Sequence, residues 1–328
     1  MTEISVVIPT YNRMDVLPEV LAALAAQEDA PSFEVIVVDD GSSDGTSEWL
    51  ARQSFSVPVE VISQQNQGPA AARNRGVQTA SGGRVAFLGD DTVPSRGWLA
   101  THHRASRSLA DRDRVAILGY TGWHPRMRLN PFLEYINEYG LQFGYALIDE
   151  PDAVPFNFFY TSNISLPREL LLREPFDLRF PYAAWEDTEL SYRLFKHGMR
   201  LIYEAEATVA HDHPTTVKRF TQRQEKAGYS AVVFYQLHAE LGPFLGLAPE
   251  GPPPLPSRWP QWRDEWLART LQPFSVRMPR LWENVLRYHY IRGLHRGWRD
   301  RMRPVEETRH GERPREAGQE IEPQINEP

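Results

Sequence analysis

The sequence has 328 residues, 41% of them hydrophobic and 24% charged, which is the composition of a globular protein. It contains no cysteine, which excludes a disulfide scaffold, a cysteine-ligated zinc site and a cysteine nucleophile. The formal net charge of −7 is uneven, with −11 over residues 1–213, +6 over 214–300 and −2 over 301–328, so the acidic front is a poor nucleic-acid surface and suits a divalent cation.

Strands alternate with helices over the first hundred residues. Apolar, β-branched runs that stop at Pro, Gly or Asp predict strands at 4–9, 33–38, 57–63 and 84–88. Apolar residues at helical spacing predict the intervening helices at 14–27, 43–51 and 70–79. This alternation predicts an α/β fold with a mostly parallel sheet flanked by helices. Ligands bind such sheets outside the carboxyl ends of the strands, where Asp39, Asn66 and Asp90 fall.

The pattern loosens after residue 100. We predict a strand at 115–120, an aromatic-rich irregular segment at 131–160, a helix at 186–197 closed by Gly198, and short strands at 200–204 and 206–210. The chain then reads as helical from 214 to about 247 and again over 262–298, with a proline-rich loop at 251–260 and breaks near Pro273 and Pro279. Residues 301–328 are poor in apolar residues, and we predict disorder there.

Two of the predicted strands end on paired carboxylates, Asp39-Asp40 and Asp90-Asp91. No Lys or Arg stands directly beside the second pair in the sequence. Four like charges at one sheet edge would repel, and desolvating them would cost several kcal/mol. A divalent cation is one remedy, since Mg²⁺ and Mn²⁺ prefer oxygen ligands and often bridge carboxylates to phosphates. A turn in which Asp caps local N–H groups is the plainer alternative.

Four motifs follow one another at these strand ends: SVVIPTYNR (5–13), VVDDGSSDGT (37–46), NQGPAAARNRG (66–76) and FLGDDTVPSRGW (87–98). With AWEDTELSYRL (184–194) behind them, the sequence resembles glycosyltransferase family 2 over about residues 3–215. The resemblance implies the GT-A fold, a Rossmann-like nucleotide-diphospho-sugar transferase fold, and inverting transfer from a nucleotide-sugar donor. It divides the chain into a catalytic domain at 1–213, with a nucleotide-binding half at 1–100 and an acceptor-binding half at 101–213, then a helical extension at 214–300 and the tail at 301–328.

The resemblance also implies which residues bind the donor, with UDP-type donors favoured over GDP- or dTDP-sugars. Three residues after the first strand line the base pocket, the DDGS pair contacts base and ribose, the Arg of AARNRG lies near the ribose or diphosphate, and the first Asp of GDDT faces the ribose or sugar. These residues are Thr10, Tyr11, Arg13, Asp39, Asp40, Arg73 and Asp90. Alternatively, Asp39 and Asp40 form a turn that caps a helix, and Arg73 lies on the surface of its helix.

Asp91 and His211 are the metal ligands that the resemblance implies, for Mn²⁺ or Mg²⁺. Many family members have three Asp where this chain reads Gly89-Asp90-Asp91, which leaves open how many carboxylates reach the ion. His213 competes with His211, because residues two apart lie on the same face of a strand. A solvent-facing His pair beside a Pro turn is the alternative.

Asp187 is the general base implied by the ED motif that opens the helix at 186. An acceptor hydroxyl attacks poorly while protonated, and a positioned carboxylate that takes its proton contributes typically 10²–10⁴-fold. Trp185, Glu186 and Asn163 are the expected acceptor-binding residues, Trp185 as a sugar-stacking face. Glu186 and Asp187 could instead only complement the helix dipole, and Asn163 could be a turn residue.

Residues 214–300 resemble no family. Trp282, Leu286, Tyr290, Leu294 and Trp298 repeat at i+4, which predicts a helix packed on the catalytic domain. A surface for an anionic membrane and a homo-oligomer interface are the alternatives. The start of the chain lacks signal-peptide features, so we expect a cytoplasmic protein, with peripheral contact at the inner face of the membrane as an option.

The leading functional prediction is a metal-dependent inverting glycosyltransferase that acts on a hydroxyl of a glycan, lipid-linked or small-molecule acceptor. A non-catalytic nucleotide-sugar-binding GT-A protein is the first alternative, supported by Gly89 and opposed by Asp187. A sugar-phosphate nucleotidyltransferase is less well supported, because the PTYNRMD loop has one Arg and no Gly. Paired carboxylates in a glycosidase would not explain the nucleotide-type loops. No nucleic-acid partner is expected, and the sugar, linkage and acceptor are not predicted.

Overall fold

The computed structural model describes residues 2–138, 141–271 and 277–302. Strands β1 to β8 of these residues occupy Ile4–Thr10, Phe33–Asp39, Val59–Ser63, Arg84–Leu88, Thr92–Pro94, Val115–Trp123, Asn163–Pro167 and Arg200–His211. Helices α1 to α11 occupy Leu17–Ala25, Thr46–Arg52, Pro69–Thr79, Trp98–Arg107, Pro131–Glu138, Arg168–Arg173, Glu186–Lys196, Val217–Leu237, Gly242–Leu245, Arg258–Leu271 and Pro279–Arg301. All eight strands form one sheet in the order β3-β2-β1-β4-β7-β6-β8-β5.

The first four strands are parallel, as the alternation of strands and helices predicts, and they lie in the order β3-β2-β1-β4. Strands β1, β2 and β4 are almost wholly buried, because helices cover both faces of the sheet and most of their side chains are apolar. Helix α3 approaches β1 very closely: a Cβ on Gly76 would lie 2.4 Å from Val7 Cγ1. Thr10 pairs with Asp39 at the ends of β1 and β2, which brings the polar loops to one edge.

The second half of the sheet is mixed. Strand β7 runs antiparallel between β4 and β6, β6 pairs parallel with β8, and β5 pairs antiparallel with β8. The prediction missed β5 and β7. Pairing of Thr92 in β5 with His211 in β8 carries the segment after β4 to the end of β8, and this register brings Asp91 to the two histidines.

Three further predictions need correction. The two short strands at 200–204 and 206–210 are a single strand, β8, whose pairing with β6 shifts register between Gly119 and Tyr120. The segment predicted to be irregular contains α5, Pro131–Glu138. Helix α10 begins inside the predicted proline-rich loop. Within residues 301–328, those from 303 onward lie outside the described residues, so the disorder prediction stays untested.

The helical extension packs against the rest of the protein. Helices α8 and α11 run side by side in the same direction, with Phe220 and Trp282 in one buried cluster and Gln236 Nε2 bonded to Arg301 O. The ring of Trp282, 1% exposed, lies 5.7 Å from that of Phe132 in α5. Three residues of the i+4 stripe are buried and the other two are half-buried, as expected for a helix packed on the rest of the protein. No helix in the described ranges is long and apolar enough to cross a membrane.

Candidate active site

A cleft of about 800 Å³ opens at the sheet edge where β1, β2 and β4 end and α7 begins. The loops after these strands form one wall, and α8 together with residues 141–162 forms the opposite one. Most residues singled out from the sequence line this cleft: Thr10, Tyr11, Arg13, Asp40, Arg73, Asp90, Asp91, Trp185, Glu186, Asp187 and His211. Asp39 and Asn163 are not part of its lining.

The Asp39-Asp40 pair is buried and fully hydrogen-bonded, which corrects the expectation of four bare charges. Asp39 accepts hydrogen bonds from Ser42 N at 3.0 Å and from Ser47 Oγ. Asp40 accepts from Gln67 N at 2.9 Å and Gly68 N at 2.8 Å, and from Gln64 Nε2. Asp39 therefore holds the turn beneath the cleft, and of this pair only Asp40 reaches the cleft wall.

Asp90 and Asp91 have a protein cation beside them that the local sequence did not predict. Arg13, from the loop after β1, places Nε 3.4 Å from Asp90 Oδ1 and Nη2 3.6 Å from Asp91 Oδ2. Burial, then the charge of Asp91, raise the pKa of Asp90 to about 6, while Arg13 opposes this rise. Arg13 lies on the cleft wall as expected, but its guanidinium faces the carboxylates.

Asp91 forms a compact group with His211 and His213. One ligand atom from each residue lies within 4.8 Å of the others. His211 Nε2 is 3.4 Å from Asp91 Oδ1, His213 Nδ1 is 3.0 Å from Oδ2, and the two imidazole rings stack. Burial raises the pKa of Asp91, but the two imidazoles outweigh it and hold that pKa well below its usual range. Both histidines that competed in the sequence thus reach the same carboxylate.

The residues fit a divalent ion. One carboxylate and two imidazoles are an ordinary Mn²⁺ donor set, and buried His211 Nδ1 has no hydrogen-bond partner among the described residues. Gly89 leaves the carboxylate of Asp91 room, since a Cβ there would lie 3.1 Å from Asp91 Oδ1. A side chain at the first motif position would therefore require Asp91 or Thr92 to shift by a few tenths of an ångström.

Asp187 lies at the N-terminus of α7 and lines the same cleft as Asp91 and His211. Thr188 N donates to its Oδ1 at 2.8 Å, and no described group donates to its Oδ2. Burial, then the charge of Glu186, raise the pKa of Asp187 to about 6. Glu186 is itself buried and paired with Arg73 at 3.0 Å, so the guanidinium of Arg73 lies on the same side of the cleft as Glu186.

Trp185 holds the turn into α7. Its backbone is left-handed, with φ 73°, and its indole Nε1 donates to Ala227 O at 3.0 Å. The ring lies 5.7 Å from that of Phe244, and both rings line the cleft. This aromatic wall is where a sugar ring could stack.

Asn163, which we expected to bind the acceptor, lies outside the lining of the cleft. It is fully buried in β7. Its Nδ2 donates to Tyr120 O and Ala207 O, and its Oδ1 lies 2.8 Å from Trp98 Nε1 and 3.0 Å from His102 Nε2. The amide joins three strands and a helix, because a buried polar side chain must have all its hydrogen bonds satisfied.

Arg223 is a cleft residue that the sequence reasoning missed. It lies in α8, one helical turn after buried Phe220, bonds to Gln142 Oε1 and lines the cleft. Desolvation lowers its pKa, and the charges of Asp187, Glu186 and Asp91 counteract this. The guanidinium therefore interacts electrostatically with all three carboxylates. Only the change to a basic sequence after residue 214 pointed to it.

Comparison with solved structures shows the fold: it is the GT-A fold. The mannosyltransferase PcManGT from Pyrobaculum calidifontis, solved with GDP-Man and Mn²⁺, matches with a TM-score of 0.60 and 19% identity over 91% of this chain and 88% of that one. TarS residues 1–349 from S. aureus matches with a TM-score of 0.52 and 19% identity over 90% and 91% of the two chains.

Sequence comparison identifies the family. Residues 5–108 match the model "Glycosyl transferase family 2". Validoxylamine A glucosyltransferase of Streptomyces hygroscopicus subsp. limoneus is 31% identical over 62% of this chain and 50% of its own length. Chondroitin synthase of Escherichia coli is 27% identical over 67% of this chain and 36% of its own. The chain thus spans half or less of these relatives, and its similarity to glycosyltransferase family 2 is shown by the family model over residues 5–108.

Proposed function

We propose that the protein is a metal-dependent, inverting glycosyltransferase that moves a sugar from a nucleoside-diphosphate donor to an acceptor hydroxyl. The observation that supports it most is the presence in one cleft of Asp187, a carboxylate with a raised pKa, and of Asp91 and His211, which form a compact group with His213. Structural neighbours have been solved with UDP, UDP-GlcNAc and GDP-Man with Mn²⁺. We extend this donor class to the present chain and favour UDP-sugars.

In this mechanism Asp187 is the general base. Its Oδ2 accepts the proton of the acceptor hydroxyl while the hydroxyl oxygen forms a bond to the anomeric carbon. The bond from that carbon to the donor phosphate oxygen breaks on the opposite side, so the configuration inverts and the nucleoside diphosphate leaves. A pKa of about 6 keeps Asp187 ionised at neutral pH yet basic enough to take the proton.

Negative charge develops on the departing diphosphate. Arg223 lies in the cleft within the field of Asp187 and Asp91 and offers donors suited to phosphate oxygens. Asp91, His211 and His213 would hold a divalent ion, which supplies Lewis-acid stabilisation of the diphosphate when bound. Trp185 and the rings beside it exclude water from the acceptor side, which disfavours hydrolysis of the donor.

Release of nucleoside diphosphate tests the function. We expect slow release from at least one of UDP-glucose, UDP-GlcNAc and GDP-mannose with Mn²⁺, abolished by EDTA and by Asp91→Ala. Acceleration by a sugar acceptor would identify transfer. Donor binding with no turnover for any acceptor would overturn the proposal and favour the non-catalytic alternative.

A further inference from the structure

A second groove adjoins the acceptor side of the cleft. It measures about 300 Å³ and lies between residues 66–70 and 178–183, sharing Asn66, Gly68 and Pro69 on one wall and Ala183 and Glu186 on the other with the cleft itself. Tyr182 forms part of its wall. The groove therefore continues from the position next to Asp187 to Tyr182, a residue that the helical extension contacts, and it offers a path to an acceptor longer than one sugar.

Cations from the extension gather on this wall. Lys226 Nζ of α8 lies 5.6 Å from the centre of the Tyr182 ring, and Arg296 of α11 donates to Tyr182 Oη at 2.8 Å. Arg296 and Arg301 also lie over the Tyr229 ring, at 5.0 and 5.5 Å. We call these five residues, Tyr182, Lys226, Tyr229, Arg296 and Arg301, the basic rim.

The positive charge of the basic rim exceeds the negative charge near it. Glu225 is shared between Arg292 at 3.0 Å and Arg296 at 3.4 Å. Neither Lys226 nor Arg301 forms an ion pair with any described residue, and buried Arg301 Nε has no hydrogen-bond partner there. Cations held over aromatic rings without carboxylates are free to bind an anionic ligand.

The negative charge of the rest of the molecule indicates which ligand this excess of positive charge would bind. Residues 1–213 carry a net charge of −11, and the neighbouring cleft contains Asp90, Asp91, Glu186 and Asp187. A neutral acceptor would enter such a cleft without help, whereas an anionic one would be repelled unless a local basic surface attracted it. The positive charge of the basic rim and its continuity with the cleft therefore both indicate an anionic acceptor.

We propose that the basic rim docks an anionic segment of the acceptor, a glycan whose sugar units carry carboxylate groups, while a hydroxyl of the same chain reaches Asp187. The inference rests on the proposed function and names its acceptor class. Lys226 and Arg301 make the ionic contacts, and Arg296 positions Tyr182.

Binding of a labelled oligogalacturonate, measured by fluorescence anisotropy without donor or metal, tests the proposal. We expect binding that weakens with salt and exceeds that of a malto-oligosaccharide of equal length. Lys226→Glu should weaken it about fivefold, since it removes one attractive charge and adds a repulsive one. Lys196→Glu is the matched control, because Lys196 also lies over a tyrosine, Tyr192 at 5.2 Å, outside the rim.

Equal binding of the neutral oligosaccharide would overturn the proposal, and so would equal losses in the two lysine variants. Binding to phosphatidylglycerol vesicles but not to oligogalacturonate would also overturn it, in favour of a lipid surface. If Lys226→Glu lost its fold, Arg301→Gln would replace it, with an expected loss of about threefold. Because the assay needs no turnover, failure to release nucleotide from any donor would overturn the proposed function and leave this binding result intact.

Discussion

Asp187 combines a raised pKa with an unengaged carboxylate oxygen, and these two properties make its role testable. Because the base must be ionised to accept a proton, kcat/KM for transfer should rise with pH, about tenfold per unit below pH 6, and level off above it. The sign follows from burial and Glu186, which raise the pKa of Asp187 to about 6. The measurement is the pH profile of nucleotide release at constant Mn²⁺.

Asp187→Asn is the matched variant for this profile. The amide keeps the hydrogen bond from Thr188 N but cannot accept the proton, so transfer should fall 10²–10⁴-fold. Its melting temperature should equal or exceed that of the wild type, because a carboxylate whose pKa is raised by burial destabilises the fold above that pKa. An unchanged rate with the same pH profile would assign the catalytic proton to another group.

Arg223 offers the second prediction at this scale. If its guanidinium binds the donor diphosphate, Arg223→Gln should lower kcat/KM about 10- to 100-fold, the range for losing a charged hydrogen bond in a cleft. Steady-state kinetics of nucleotide release, with varied donor, would measure this. Arg219→Gln, on an exposed position of the same helix, changes the same charge outside the cleft. Equal effects of the two substitutions would show that Arg223 does not bind the donor diphosphate.

At the scale of elements, sequence predicts best where local pattern and tertiary environment agree. Strands β1, β2 and β4 are runs of Val, Ile and Ala or Phe buried on both faces, and apolar runs of this kind are typical of central parallel strands. Strand β7, with Asn163 and Ser165, was missed because its polar residues are buried against Trp98 and His102. The hydrogen bonds of such residues are satisfied only in the assembled sheet.

The contact between α8 and α11 depends on glycines. A Cβ on Gly228 would lie 2.0 Å from Tyr290 O, and one on Gly293 would lie 2.1 Å from Glu225 O. Alanine in a helix is favoured over glycine by about 1 kcal/mol, but overpacking against a rigid backbone costs about 1–3 kcal/mol. We therefore expect the clash to dominate in Gly228→Ala and Gly293→Ala.

Both substitutions should lower the melting temperature by about 3 °C or more. They should also reduce nucleotide release, because α8 carries Arg223 into the cleft. Gly83→Ala is the control, since nothing lies within 4 Å of its added Cβ, and it should leave stability unchanged or slightly raised. A rise in melting temperature for Gly228→Ala would show that the two helices separate without cost.

At the scale of the whole molecule, the position of the site could be predicted and its charge balance could not. The parallel topology alone places Asp40 and Asp90 at one edge. Arg13, Arg223 and His213 reach that edge from the loop after β1, from α8 and from the end of β8, and distant segments of this kind are brought together only by tertiary packing. The sequence therefore suggested an acidic site in need of a cation, whereas the folded protein supplies part of that positive charge itself.

The charge balance of the site predicts that a divalent ion and a nucleotide added together raise the melting temperature more than either does alone. A nucleoside diphosphate entering a cleft that contains Asp90, Asp91 and Asp187 meets like charge, and a divalent ion between the phosphates and Asp91 removes that repulsion. At a hundredfold excess over Kd, bound ligand adds about 2.7 kcal/mol, which corresponds to roughly 5 °C for a chain of this size. Melting curves with Mn²⁺, with UDP or GDP, and with both would measure it.

His213→Ala should reduce the joint shift, because it removes one of three ligand atoms that lie within 4.8 Å of one another. His197→Ala, at a side chain 67% exposed on α7's C-terminal side, should leave the shift intact. A full shift with nucleotide alone would mean that Arg13 and Arg223 already neutralise the diphosphate, and the protein would then bind its donor without metal. The dependence of the shift on both ligands together therefore decides whether the ion or the protein's own arginines balance the donor's charge.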